Sequence, residues 1–445
     1  MKWGRAWGGG LASLLAFAFV AAAAPAKEWT LPQNDANTHE GVKTCVGAPC
    51  HGHKSKQGGR VWLNEGSIWR TEDLHSRAFD VLYNKRSKRM AKNLGLEKPA
   101  HESKLCLDCH ADFVPEARRG SRFTLGEGIG CETCHGGAGR WLKSHDSGAS
   151  RASNLERGMY PTDDPSARAV LCLSCHFGTG DKFVDHRLMG AGHPRQSFEL
   201  HVFSQTMPAH YRIDKDYVAR GKQAPSGVSV WAVGQATAVQ DMLDVLLDPE
   251  RSHHGIWPEF VLFDCHACHH RMSEDRWRPR PSVGLGPGLA RLNDSSFLML
   301  QHALRVVEPE KAEAFERDVR ALHEATSEGS ENARPIALRL RETTAGAIPK
   351  LAAWEVDSET TRGLTRAIVN EGLTGEYIDY AAAEQATMAL NVLIIELYDR
   401  QAYDKAQLAV LGAELEMLLK ATKEPEGYQP DAVEASLKRM QKVLQ

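Results

Sequence analysis

The chain lacks an excess of either charge. Its 54 Lys and Arg stand against 57 Asp and Glu, a formal net charge of −3, so it has no basic footprint of the kind that holds nucleic acid. It lacks a second long apolar run: after the first 26 residues no stretch suffices to span a bilayer, which excludes a polytopic membrane protein. It lacks the phosphate-binding Gly-Lys loop, the dinucleotide fingerprint and the paired-histidine zinc-protease motif. Strand-like alternation is scarce. Cysteine is absent before Cys45 and after Cys268, although the chain holds 10 in all. With 445 residues, 42% hydrophobic and 25% charged, the composition suits two or three cored domains and excludes disorder.

The N-terminus has the pattern of an export signal. Lys2 and Arg5 precede an apolar run that ends in Ala24-Pro25-Ala26, a small-x-small site. A signal peptide over residues 1–26 is expected, with the mature protein in the periplasm; an uncleaved anchor is the rival reading. Removing Lys2 and Arg5 leaves 52 basic residues against 57 acidic ones.

The 10 cysteines fall into five pairs, and each pair is followed at once by histidine. Four have two residues between: Cys106/Cys109 with His110, Cys131/Cys134 with His135, Cys172/Cys175 with His176, and Cys265/Cys268 with His269. The remaining pair, first in the chain, is Cys45/Cys50 with His51; it has four, and Gly47 and Pro49 help it bend. Histidine is 20 of 445 residues, so five such coincidences by chance have a probability of roughly 2 in 10 million. Disulfides and zinc ribbons do not need that histidine, and a dithiol zinc site suits an exported protein poorly. Two thiols one turn apart, with an imidazole next in line, have the spacing that bonds both vinyl groups of a haem and offers its iron a proximal ligand. Five covalent haem c groups are expected.

Five irons also need ligands on their other faces. The remaining histidines of the cysteine-bearing region are His53, His75, His101, His145, His186, His193, His201, His210, His253, His254, His266 and His270. His75 lies in a short amphipathic stretch with Trp69; His145 follows His135 too closely to wrap the same haem; His186, His193 and His210 cluster between the fourth and fifth motifs. These five are the expected distal ligands, with Met189 and Met207 as thioether alternatives.

The order of a His-terminated pair, Trp69-x5-His75, Cys106-x-x-Cys109-His110, Gly130-Cys-Glu-Thr-Cys-His-Gly136 and a trailing His145 resembles the tetrahaem cytochromes that take electrons from hydroxylamine oxidoreductase, and more broadly the exported bacterial multihaem cytochromes c. The resemblance spans roughly residues 40 to 180. It implies closely stacked and perpendicular haem pairs, His145 as distal ligand to the His51 haem, His75 to the His135 haem, and a haem on Cys106/Cys109 that can lack a sixth ligand. The long first motif, the fifth motif and the cysteine-free C-terminal extension depart from it.

A mainly α fold is predicted: a pentahaem core of short helices and long loops over 27–282, then a helical bundle over 283–445. Val230 to Leu247 reads as a helix walling the haem core, and Trp277 to Gly288 as a linker. Helices are expected at Leu289–Val307, Glu310–Thr326, Ser358–Asn370, Glu376–Tyr398, Lys405–Leu419 and Asp431–Leu444, with His302 and His323 structural. The first functional expectation is electron transfer between redox proteins, including a membrane quinol-linked donor, with up to ten haem propionates making the loaded protein acidic enough to steer a basic partner. The second is an oxidoreductase acting on a small nitrogen or sulfur compound at one open haem.

Overall fold

The computed structural model describes residues 29–47, 49–57, 62–253, 256–269, 280–286 and 288–445. Within them the fold is mainly α, as the sequence predicts, and pairing outside helices and turns is limited to three isolated bridges: His39–Arg119, Gly178–Phe183 and Phe263–Leu292. No helix among the described residues is long and apolar enough to cross a membrane. The expected signal peptide, His254, His270 and Trp277 lie outside the described residues.

The cysteine-bearing half is built from short helices: α1 (Glu65–Thr71), α2 (Lys85–Leu94), α3 (Lys104–His110), α4 (Cys131–His135), α5 (Leu142–Asp146), α6 (Pro165–His176), α7 (His186–Gly190) and α8 (Leu200–Thr206). Local chemistry starts several of them. Asn84 caps α2 by accepting from the Ser87 amide, Asp185 caps α7 through Leu188, and Asp164 caps α6 with Pro165 at its first position. Protein alone gives this half little interior. Its own apolar clusters are small, one of Leu82, Ala91, Ala100, Leu107 and Ala111, another of Leu31, Tyr160, Ala167 and Leu171.

Helix α9 (Gly227–Leu247) is apolar on nearly every side, the pattern of a helix buried all round. It packs on α6 and α8 of the cysteine-bearing half, but its other faces lie against the C-terminal helices α10 (Ser295–Val307), α12 (Ser330–Ala352) and α14 (Tyr380–Asp399). With α11 (Pro309–Glu328), α13 (Ser358–Gly372), α15 (Lys405–Ala421) and α16 (Pro430–Leu444) these make a bundle in which successive helices mostly pack on each other. One apolar core runs from Ala169 to Leu444 and is continuous across residue 282.

Helix α12 is absent from the sequence-based expectation because it contains Pro335 and Pro349. Both prolines are exposed, so the carbonyls they leave unpaired face water. The opposite face buries Ala333, Ala337, Leu340, Thr344, Ala347 and Leu351, alternating four and three residues apart, and these mostly small side chains suit close approach to α9.

The expected linker is pinned at its described residues. Arg280 is buried and forms ion pairs with Asp294 at 2.8 Å, Asp379 at 2.9 Å and Glu376 at 3.3 Å, while Ser282 donates to Glu376 from both its amide and its hydroxyl. Proline and glycine content signals a loop, but it carries no information about an arginine whose partners lie far along the chain.

Candidate functional site

Three of the motifs close a helix. α3, α4 and α6 each end on the motif histidine, His110, His135 and His176, so the two thiols of each sit one turn apart on a helix end. The cysteines, none of them in a disulfide, also meet across motifs: Cys45 lies beside Cys131, Cys109 beside Cys175, whose Sγ accepts from Lys182 Nζ at 3.1 Å, and Cys134 lies near Cys172 and Cys175. Four pairs therefore follow one another in space, in the order 45/50, 131/134, 172/175, 106/109.

Each motif histidine faces a second imidazole. His51 lies opposite His145 with ring centres 6.0 Å apart, His176 opposite His75 at 6.2 Å, His110 opposite His193 at 6.5 Å, His135 opposite His210 at 6.3 Å and His269 opposite His186 at 6.1 Å. A direct N–H to N hydrogen bond of about 2.9 Å would bring two such rings roughly 5 Å apart. Two metal–imidazole bonds of about 2 Å each place trans rings roughly 6 Å apart. The observed spacings match the second case at all five places.

The rings are held by their other nitrogen. His51 Nδ1 donates to Glu65 Oε2 at 2.9 Å, His75 Nδ1 to Asp73 Oδ1 at 3.0 Å, His110 Nδ1 to the Ala78 carbonyl at 2.9 Å and His193 Nδ1 to the Pro194 carbonyl at 2.8 Å. Such bonds fix the tautomer and leave Nε2 available to ligate a metal. Burial pushes His135 down to about 3 and lowers His145, His176, His193 and His210, which keeps them neutral, as metal ligation requires. His75 moves the other way because Asp73 accepts from it.

Aromatic walls complete the slots. Phe198 stacks on His176 at 4.5 Å, Trp141 meets His145 edge-on at 5.8 Å, and Phe260 lies 5.2 Å from His186. Buried donors without a protein partner, Trp141 Nε1, Arg168 Nε and Thr133 Oγ1, stand in the same region. A flat apolar group carrying acidic substituents fits this lining.

Residues 45–136 match the family model of cytochrome c554 and c-prime. The match supports a c-type cytochrome. It covers the first three motifs and implies covalently bound haem and electron transfer, without extending to a particular redox partner. No curated protein and no solved structure matches the chain.

Two placements differ from those the resemblance implied. The ring opposite His135 belongs to His210, not His75, which faces His176. Asp73 accepts from both the amide and the ring of His75 and fixes it toward α6, while α8, packed on α9, delivers the stretch that carries His210. His110 has a partner ring in His193. The other histidines have different surroundings: His101 stacks on Tyr83, His201 lies beneath Gly227, His253 bonds Ser252 and His266 lies beside Tyr380.

Sequence reasoning missed the orienting carboxylates Glu65 and Asp73. It also missed Glu132, inside the third motif, which accepts from the amides of Glu40, Gly41 and Ala138 and so ties the motif to the N-terminal stretch. The only available signal was an acidic residue at a variable motif position.

Proposed function

We propose that the five imidazole pairs are the axial ligands of five covalent haems, and that the protein carries electrons through them between redox partners in the periplasm. The observation that carries this reading is the repetition of one ring spacing at all five motifs. The thiols of Cys45, Cys50, Cys106, Cys109, Cys131, Cys134, Cys172, Cys175, Cys265 and Cys268 would hold the groups, with His51, His110, His135, His176 and His269 proximal and His145, His193, His210, His75 and His186 distal. Bound haem supplies a one-electron iron couple at each slot, with a low potential under bis-histidine ligation.

The chain's own residues do the rest. Hydrogen bonds from Nδ1 orient the ligands, and the aromatic walls exclude water. The contacts between cysteines of different motifs set four of the slots in sequence. The fifth joins through α7, because His186 and His193 stand seven residues apart and face different motif histidines. An export signal and a quinol-linked membrane donor fit this reading. Chemistry on a small nitrogen or sulfur compound needs a motif histidine without a facing ring, and each of the five has one.

Quantitative electron paramagnetic resonance of the oxidised, haem-loaded protein tests the assignment. Five low-spin irons are expected; a high-spin iron in the unmodified protein would revive the enzymatic reading.

A further inference from the structure

We propose that helix α2 and the apolar side chains beside it form the docking face for an acidic redox protein, which exchanges electrons at the His110/His193 pair. The proposal rests on the ligation reading above. The exchange would make and break no bond: the partner's reduced centre would lose one electron to the haem that this pair would hold, or the reverse.

The charge of α2 runs against that of the whole chain. Its ten residues, Lys-Arg-Ser-Lys-Arg-Met-Ala-Lys-Asn-Leu, include five cations and no acid, in a protein of net charge −3. Lys85, Arg86, Lys88, Arg89 and Lys92 are all exposed, and Lys85, Lys88, Arg89 and Lys92 form no ion pair with any described residue. Arg187, exposed on α7, adds to the field; the nearby acids in sequence are Asp80, Glu97 and Glu102, the last turned toward His101 at 3.5 Å. Lys104 is committed to Asp108. Like charges three and four residues apart destabilise a helix, so this run works against the helix's own stability.

The helix is also fastened to the redox pair. Arg86 Nε donates to the Gly192 carbonyl at 2.7 Å, Asn93 donates to Ala191 at 3.3 Å, and Met90 packs against Gly192. Each contact falls within two residues of His193. Beside the helix, Val81, Tyr83 and Leu105 are exposed by 40 to 47%, and Leu105 adjoins Cys106. Exposed apolar side chains bordered by charge at a redox centre match the anatomy of a small transient interface. A membrane surface fits less well, because the non-basic face of α2, Ser87 and Ala91, is already buried in the protein and cannot enter lipid.

The test uses haem-loaded protein and an acidic flavodoxin as probe. The variant K85E/K88E/R89E/K92E is compared with K405E/K420E/K423E/K442E, which moves the same charge on the bundle. Carbodiimide coupling of the unmodified protein should join flavodoxin carboxylates to Lys85, Lys88 or Lys92. The α2 variant should be reduced at least about tenfold more slowly than the unmodified protein at low ionic strength, with the gap closing at high salt, and the bundle variant should stay within about twofold. Equal losses in both variants, or coupling confined to other lysines, would overturn the proposal. So would tighter binding to phosphatidylglycerol vesicles than to flavodoxin, abolished by the α2 variant. A high-spin iron in the unmodified protein would instead strike the ligation reading, and the coupling map would still report on the docking face.

Discussion

Glu65 acts on the electron density of one imidazole. Its carboxylate accepts from His51 Nδ1 at 2.9 Å; on the proposed ligation this would give that imidazole partial anionic character and favour the ferric state of the haem it would hold. Glu65→Gln keeps the shape and weakens the bond. The expected outcome is a raised midpoint potential for one haem of five, with the low-spin spectrum unchanged, read by a redox titration. The pairing itself is testable through double variants. If His75 and His176 share an iron, His75→Ala with His176→Ala removes one low-spin signal, whereas His75→Ala with His135→Ala removes two. The reverse counts would restore the pairing that family resemblance suggests. At this scale the sequence was unusually informative, since a covalent attachment motif declares itself by spacing. The facing partner does not, because a distal ligand would be selected by how the chain returns through space; the local contexts of His75 and His210 do not reveal which motif histidine each faces.

Among the elements, Arg280 and α12 show what composition conceals. Arg280 holds three carboxylates in a buried cluster, and removing one partner of such a cluster costs about 3–5 kcal/mol: Asp379 would keep Arg291 and Asp294 would keep His323, but the buried negative charge would be under-compensated, most of all at Glu376. Arg280→Ala should lower stability by that order, measured by denaturant unfolding. Burial by itself would raise Asp294, but Arg280 and His323 outweigh it and hold its carboxyl well below the usual range. A depressed acid contributes its stability above the unfolded value of about 3.9 and loses it as pH falls toward the folded value. Unfolding of the unmodified protein should therefore become easier below about pH 4, and Asp294→Asn should flatten that dependence. On α12, Ala337→Leu should cost about 1–3 kcal/mol by forcing α9 outward. Most bundle helices were legible from periodicity to within a few residues, and Asp357 caps α13 as its chemistry suggests. α12 was not, because prolines outweigh a stripe of small residues in any reading that ignores which side faces water. Gly372, the last residue of α13, is there for close packing: a Cβ would meet Leu437 and Tyr377 within 2.6 Å.

For the molecule as a whole, protein packing is unevenly shared. The core from Ala169 to Leu444 is protein throughout, while the stretch before α6, with the first three motifs, holds only small clusters. Haem-free chain, made with the motif cysteines replaced by serine, should keep the helices from α9 onward and lose order before them. Limited proteolysis should leave a resistant fragment beginning near residue 227; a fragment beginning near 290 would show that α9 belongs to the haem half. Deleting residues 290 to 445 is correspondingly severe, since it strips α9 of the helices that cover it.

The facing rings also impose an order in time. His51, His110 and His135 find their partners downstream, at His145, His193 and His210, whereas His176 and His269 reach back to His75 and His186. On the proposed ligation, a chain emerging from its N-terminus holds its first three irons half-coordinated until later segments arrive. The fourth motif closes on a ligand already waiting. Maturation is then a relay rather than five separate attachments, and it finishes only when the last motif returns to His186.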